Sequence, residues 1–148
     1  MKKNVLNNKG FSLVELIVVI AIMAVLVGVL APQFIKYVDK SRASTDIQNL
    51  QEIKSAVETY YADNDSTAEW SLSTSAGDTT CTISSADPLT NAGLGTAVTL
   101  KSKKWDAISM KYTPANNSWS ISGTNSVDTA KYNLSTTLGN GTPANNPE

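Results

Sequence analysis

From Leu16 to Ala31 the chain carries no polar side chain, and the apolar stretch already begins at Phe11, broken only by Ser12 and Glu15. A run of this kind leaves few structural options. As a helix, Phe11 to Ala31 spans about 32 Å, the thickness of bilayer hydrocarbon. A carboxylate deep in such a segment costs roughly 2.5–3.5 kcal/mol on insertion scales. Ionisable groups kept there are functional candidates by default. Lys2, Lys3 and Lys9 precede the run and favour a cytoplasmic N-terminus. Lys36, Lys40 and Arg42 on the far side weaken that bias without reversing it. The expected topology is a single span, N-terminus inside, with residues 33–148 outside.

Three ordinary explanations compete. A secretory signal peptide has a basic start, an apolar middle and a small-residue cleavage site, and Val29-Leu30-Ala31 offers one. Pro32 directly after that site and Glu15 within the apolar region both argue against it. A plain single-span anchor explains the length but not the string Gly10-Phe11-Ser12-Leu13-Val14-Glu15. Ser12-x-x-Glu15 is a capping box, able to satisfy orphan N–H groups at a helix start. It leaves Lys9, Gly10 and Phe11 unexplained.

Lys9-Gly10-Phe11-Ser12-Leu13-Val14-Glu15-Leu16, with the apolar run behind it, resembles the class III signal sequence of type IV prepilins and related pseudopilins. The likeness is strong over residues 9–32 and continues loosely, as a helical pattern, to about residue 62. It implies a cytoplasmic leader, residues 1–10, removed between Gly10 and Phe11 by a prepilin peptidase/methyltransferase. It also implies N-methylation of Phe11 and handling by an inner-membrane pilus assembly platform. Gly10 leaves the backbone open to the protease because no side chain obstructs it. Cleavage creates an α-amino group with an ordinary pKa of about 7.7–8.0, largely cationic at neutral pH. Glu15 lies four residues further, about 6 Å in helical rise. Meeting the amine of a staggered neighbour would offset the cost of holding both charges in an apolar setting. Glu15 is therefore the expected register residue of assembly.

Pro32 removes a backbone donor and crowds the carbonyl of Gly28, and glycine is itself a weak helix former. Gly28 and Pro32 are the expected weak point of the helix, a kink in the isolated subunit. Beyond it, residues 32–62 form an amphipathic helix. Phe34, Val38, Ile47, Leu50, Ile53, Val57 and Tyr60 recur at helical spacing. Lys36, Asp39, Arg42, Asp46 and Glu52 are expected mostly on other faces. The apolar stripe needs a sheet to lie on.

Residues 63–138 read as a polar, β-rich head of limited core. Residues 64–95 are expected to be mostly loop, with a short strand at Thr79–Ser84. Thr96–Lys101, the Ile108/Met110/Tyr112 alternation and Trp119/Ile121 read as strands, the last two joined through Pro114-Ala115-Asn116-Asn117 as a hairpin. Ala130–Ser135 is a further candidate strand. The fold class is α+β: a long helix, transmembrane over 11–31 and amphipathic beyond, on an antiparallel sheet of three or four strands. This is the type IV pilin fold that the resemblance implies. Gly139–Glu148 is expected to be a disordered tail.

The chain has no histidine and one cysteine, Cys81. Nucleophile–histidine catalysis and an internal disulfide are thereby excluded. The missing cysteine pair departs from many Gram-negative pilins. Asp63 and Asp65 flank Asn64 without the rest of a calcium loop. No metal ligand set, cofactor or catalytic residue is expected. Lys101, Lys103 and Lys104 beside Trp105 are the one candidate for DNA contact, with a solvated strand end the preferred reading. Removing residues 1–10 leaves a formal charge of −4, unsuited to general polyanion binding.

The reading is a non-enzymatic subunit that polymerises with itself into an extracellular filament for adhesion, motility or DNA uptake. Before assembly it sits in the cytoplasmic membrane among lipid. The alternatives are a pseudopilin of a type II secretion or competence system, and a membrane-anchored binding domain that never polymerises.

Overall fold

The computed structural model describes residues 10–140; residues 1–9 and 141–148, which hold most of the expected leader and tail, lie outside them. Helix α1 runs Leu13–Asp63 with Pro32 inside it. It belongs to two compact units that divide between Tyr37 and Val38.

The described part of the first unit is helical from Leu13 onward. Its large apolar side chains, from Phe11 through Tyr37, are all exposed. The helix is long and apolar enough to cross a membrane by length and composition. It continues without a break through Gly28 and Pro32, although Pro32 leaves the Gly28 carbonyl without its usual donor.

The second unit begins at Val38. Here α1 lies on a five-stranded sheet of order β3-β2-β1-β4-β5. The strands are β1 (Trp70–Thr74), β2 (Thr80–Ile83), β3 (Val98–Thr99), β4 (Ile108–Thr113) and β5 (Ser118–Ser122), with a short helix α2 (Asp87–Asn91) between β2 and β3. All pairings are antiparallel, and β1 is central, opposite Ile108–Tyr112 on one side and Thr82–Ile83 on the other. Alternation decides the inner face: Trp70 and Leu72, Ile108, Met110 and Tyr112, and Trp119 and Ile121 are buried, with their neighbours turned outward. From α1, Ala43, Leu50, Ile53, Ala56 and Val57 close the core. Each fully buried aliphatic side chain there contributes about 1.5–3 kcal/mol.

Sequence expectations fail at identifiable places. The stripe on α1 starts at Ala43, not Phe34, which is exposed. Asp46, expected on an outer face, is fully buried. Residues 64–95 are more ordered than the loop expected of them: they hold the central strand β1, whose Trp70-Ser-Leu-Ser alternation is only two apolar residues long, as well as α2. Of Thr96–Lys101, only Val98 and Thr99 pair as strand. Ala130–Ser135 does not form a strand. A single bridge joins Asn133 to Thr124, and Ser135–Gly139 coils as one π-turn. The Asn133 side chain accepts from the Ser135 N–H (3.1 Å), and its carbonyl takes the Thr136 and Thr137 hydroxyls, which turns the chain away from the sheet. Tyr132 and Leu134 are buried all the same. Gly139 and Asn140, placed in the expected tail, belong to the fold: Asn140 accepts the backbone N–H of Ile121.

The β4–β5 hairpin turns through Pro114–Asn116 and a left-handed Asn117 (φ 48°), close to expectation. At Gly123 glycine is required twice over. Its φ is 143°, and an added Cβ would lie 3.0 Å from Leu134 Cδ1 and 3.1 Å from Ile108 Cγ1. Gly123→Ala is expected to destabilise the head by about 1–3 kcal/mol, read as a lowered denaturant midpoint in tryptophan fluorescence.

Every indole N–H has an acceptor, as buried tryptophans require. Trp70 donates to the Ser85 carbonyl (2.9 Å), Trp105 to Asp46 (2.9 Å) and Trp119 to Glu58 (2.8 Å). The last two tie the helix to the sheet unit at points twelve residues apart. Asp46 does more. The Lys101 N–H donates to its Oδ1 (2.7 Å) and the Ser102 N–H to its Oδ2 (2.9 Å). Nearby, Lys104 Nζ lies 3.2 Å from Asp39, and the Tyr132 hydroxyl donates to the Lys40 carbonyl (3.3 Å).

Candidate processing and assembly site

Gly10, Phe11 and Ser12 are non-helical, and the helix begins at Leu13. Leu16 N–H returns to the Ser12 carbonyl at 3.2 Å. Glu15 reaches back, accepting the Ser12 N–H on Oε2 at 2.9 Å. That satisfies one orphan donor and places a negative charge in the first turn, where the helix dipole favours it. Half of the expected capping box is thus in use, and Glu15 has a local partner in the subunit.

Among the described residues, an added Cβ at Gly10 would meet no heavy atom within 4 Å, so packing does not select glycine there. Phe11 is 87% exposed, so the Gly10–Phe11 bond stands open at the helix start. Gly10 and Phe11 thus lie just ahead of the helix start, and Glu15 caps that start through the Ser12 N–H. Gly28 and Pro32 are elsewhere, inside α1 and exposed; an added Cβ at Gly28 also meets nothing within 4 Å.

The other residues singled out in the sequence lie in the head. Trp105 is buried against Asp46, and Lys104 is engaged by Asp39. The Lys101–Lys104 cluster therefore has no exposed aromatic beside it to stack on a base. Cys81 is buried in β2, and burial, followed by the charges of Asp46 and Asp78, pushes its thiol up to about 11. Such a thiol is almost wholly protonated at neutral pH and a poor nucleophile. Among the described residues no three His, Cys, Asp or Glu side chains gather to hold a metal.

Asp46 is the residue that sequence reasoning missed. The signal was present: Ala43, Asp46, Leu50, Ile53 and Val57 follow each other at spacings of three and four. A carboxylate on an apolar stripe needs buried donors.

The prokaryotic N-terminal methylation motif is matched over residues 6–31. Over 59 residues, 40% of the chain, it is 34% identical to the type IV major pilin protein PilA of Myxococcus xanthus. It is 44% identical over 59 residues, 39% of the chain, to the prepilin peptidase-dependent protein A of Clostridium perfringens. To a fimbrial protein of Neisseria meningitidis it is 41% identical over 70 residues, 47% of the chain. These alignments cover 27%, 42% and 39% of the respective relatives' lengths. No solved structure matches the chain. Fold and motif together define a class: a long apolar N-terminal helix, class III signal at its start, packed on a small antiparallel sheet. Over its N-terminal part the chain is similar to type IV pilins and carries their methylation motif.

Proposed function

We propose that the chain is a structural subunit of a type IV pilus, not an enzyme. It is stored in the cytoplasmic membrane with its N-terminus inside. A prepilin peptidase removes residues 1–10, the new amino group of Phe11 is methylated, and the subunit is added to a filament through its assembly platform. Glu15 sets the register against a neighbour's amine, and Gly28 with Pro32 is where the helix gives way on packing. The filament then serves adhesion, motility or DNA uptake. The observation that carries this reading is the exposed Gly10–Phe11 bond, at a glycine whose added Cβ would touch none of the described residues. The exposed apolar surface running to Tyr37 supports burial in a membrane first and among other subunits later. Relatives named as major pilins and fimbrial proteins favour a pilus over a secretion pseudopilus.

The test is the N-terminus of filament subunits sheared from cells. N-methyl-Phe11, with residues 1–10 gone, is the expected result. Met1 retained in the mature product would instead mark a plain anchored domain. Gly10→Val is expected to stop leader removal nearly completely, so that whole-cell immunoblots show only the longer form. Because the Cβ meets nothing, the head should unfold at an unchanged denaturant midpoint.

A further inference from the structure

We infer that the groove between residues 48–63 of α1 and α2 with the loop that follows it is an interface between copies of this chain, receiving the Lys36–Arg42 segment of a second copy. The inference rests on the filament reading and adds to it which surfaces meet.

The groove has a volume of about 840 Å³, with Glu52, Ala56, Tyr60 and Asp63 on the α1 wall and Pro88 and Leu94 opposite. Leu94 is 39% exposed, and every other exposed large hydrophobic among the described residues lies at or before Tyr37. Its position is built rather than incidental. Gly93 and Gly95 flank it at φ 73° and 87°, and its N–H donates to the Leu89 carbonyl at 2.8 Å. The head thus presents one large apolar side chain, fixed by its backbone, at the rim of a groove.

Charge names the occupant. Glu52 and Asp63 are exposed and eleven residues apart, which puts them on one face of the helix. The ion pairs among the described residues join Lys54 to Glu58, Lys104 to Asp39 and Lys111 to Glu69; Glu52 and Asp63 take no part. Lys36, Lys40 and Arg42 are likewise exposed and in none of these pairs, with Tyr37 exposed among them. A cationic, partly aromatic helix segment complements an acidic groove with an apolar rim. Residues 141–148 carry Glu148 as their single charge, which the groove would repel, as it would an anionic lipid surface.

The geometry fits an open polymer. Lys40 precedes Glu52 by twelve residues and Asp63 by 23, so seating it there displaces the second copy by about 18 to 35 Å along the helix axis. Glu15 meeting a neighbour's Phe11 amine needs a displacement of only about 6 Å. The two contacts therefore engage different neighbours, as heterologous patches do when rotation does not close into a ring.

The test pairs Lys40→Cys with Leu94→Cys in the full chain on cells, Cys81 being too buried to interfere. Mild oxidation of sheared filaments should give a ladder of disulfide-linked multimers, absent from either single variant. Filaments without a ladder, or crosslinks to a foreign basic protein instead, would overturn the interface while leaving the filament reading intact. Absence of filaments from the wild-type chain would sink the filament reading itself, and the interface with it. Charge reversal gives an independent arm. Glu52→Lys and Lys40→Glu should each cut filament number at least about tenfold, since like charges then face each other. Combining them should restore most of it. No loss in either single, or no rescue in the pair, refutes the inference.

Discussion

Asp46→Ala is expected to destabilise the head by about 3–5 kcal/mol, the combined cost of orphaning its N–H donors at about 1–3 kcal/mol for each buried one. Three N–H donors converge on this carboxylate, from Lys101, Ser102 and the Trp105 indole, and alanine leaves the Ser102 and Trp105 donors buried, and the Lys101 donor half-buried, without an acceptor. The segment they hold is otherwise irregular, so the loop loses its attachment to α1 as well as three hydrogen bonds. Asp46→Asn separates acceptor chemistry from shape. The amide keeps one oxygen but turns an NH2 toward a donor, so it should still cost about 3 kcal/mol despite near-identical volume. Denaturant unfolding of the full chain in detergent, followed by tryptophan fluorescence, reports the head cleanly, because Trp70, Trp105 and Trp119 all lie there. An Asp46→Asn midpoint within about 1 kcal/mol of wild type, the ordinary range of a single substitution, would show that the carboxylate is merely tolerated.

This clip also explains why the head was only partly legible in the sequence. The membrane-length helix, the β4–β5 hairpin and the buried alternation of Ile108, Met110 and Tyr112 rest on local period and turn chemistry, and they were visible. β1 was not: two apolar residues among serines are too few to announce a strand, and its central place comes from partners about 10 and 40 residues away. Ala130–Ser135 has the burial pattern of a strand, but the hydrogen bonds around Asn133 decide its path. Asp46 escapes a stripe drawn through Val38 and Ile47 because the buried stripe runs through Ala43 instead. At the N-terminus the balance reverses. Gly10, Phe11 and Glu15 were conspicuous in the sequence, and the structure adds that Gly10 has open space around it and that Glu15 caps its own helix.

That cap makes Glu15→Gln the informative change at the N-terminus. Glutamine keeps an acceptor oxygen for the Ser12 N–H, so the first turn of α1 should form as before. Leader removal should also proceed, since Gly10 and Phe11 are untouched. What disappears is the charge. In a filament the Phe11 amine of each neighbour would then be buried with no carboxylate opposite, at a cost of about 3–5 kcal/mol per subunit. Subunit addition should become about a hundredfold or more less favourable, at roughly 1.4 kcal/mol per tenfold. The expected cell carries normal amounts of mature, correctly cleaved subunit in its membrane and almost no surface filaments. Glu15→Asp keeps the charge on a shorter arm and should fall between the two. Mass spectrometry of membrane-held subunits and filament counts by electron microscopy read both quantities on the same cells. Wild-type numbers and pitch from Glu15→Gln filaments would mean that the carboxylate serves the helix start alone, and the cost of carrying it in an apolar segment would need another explanation.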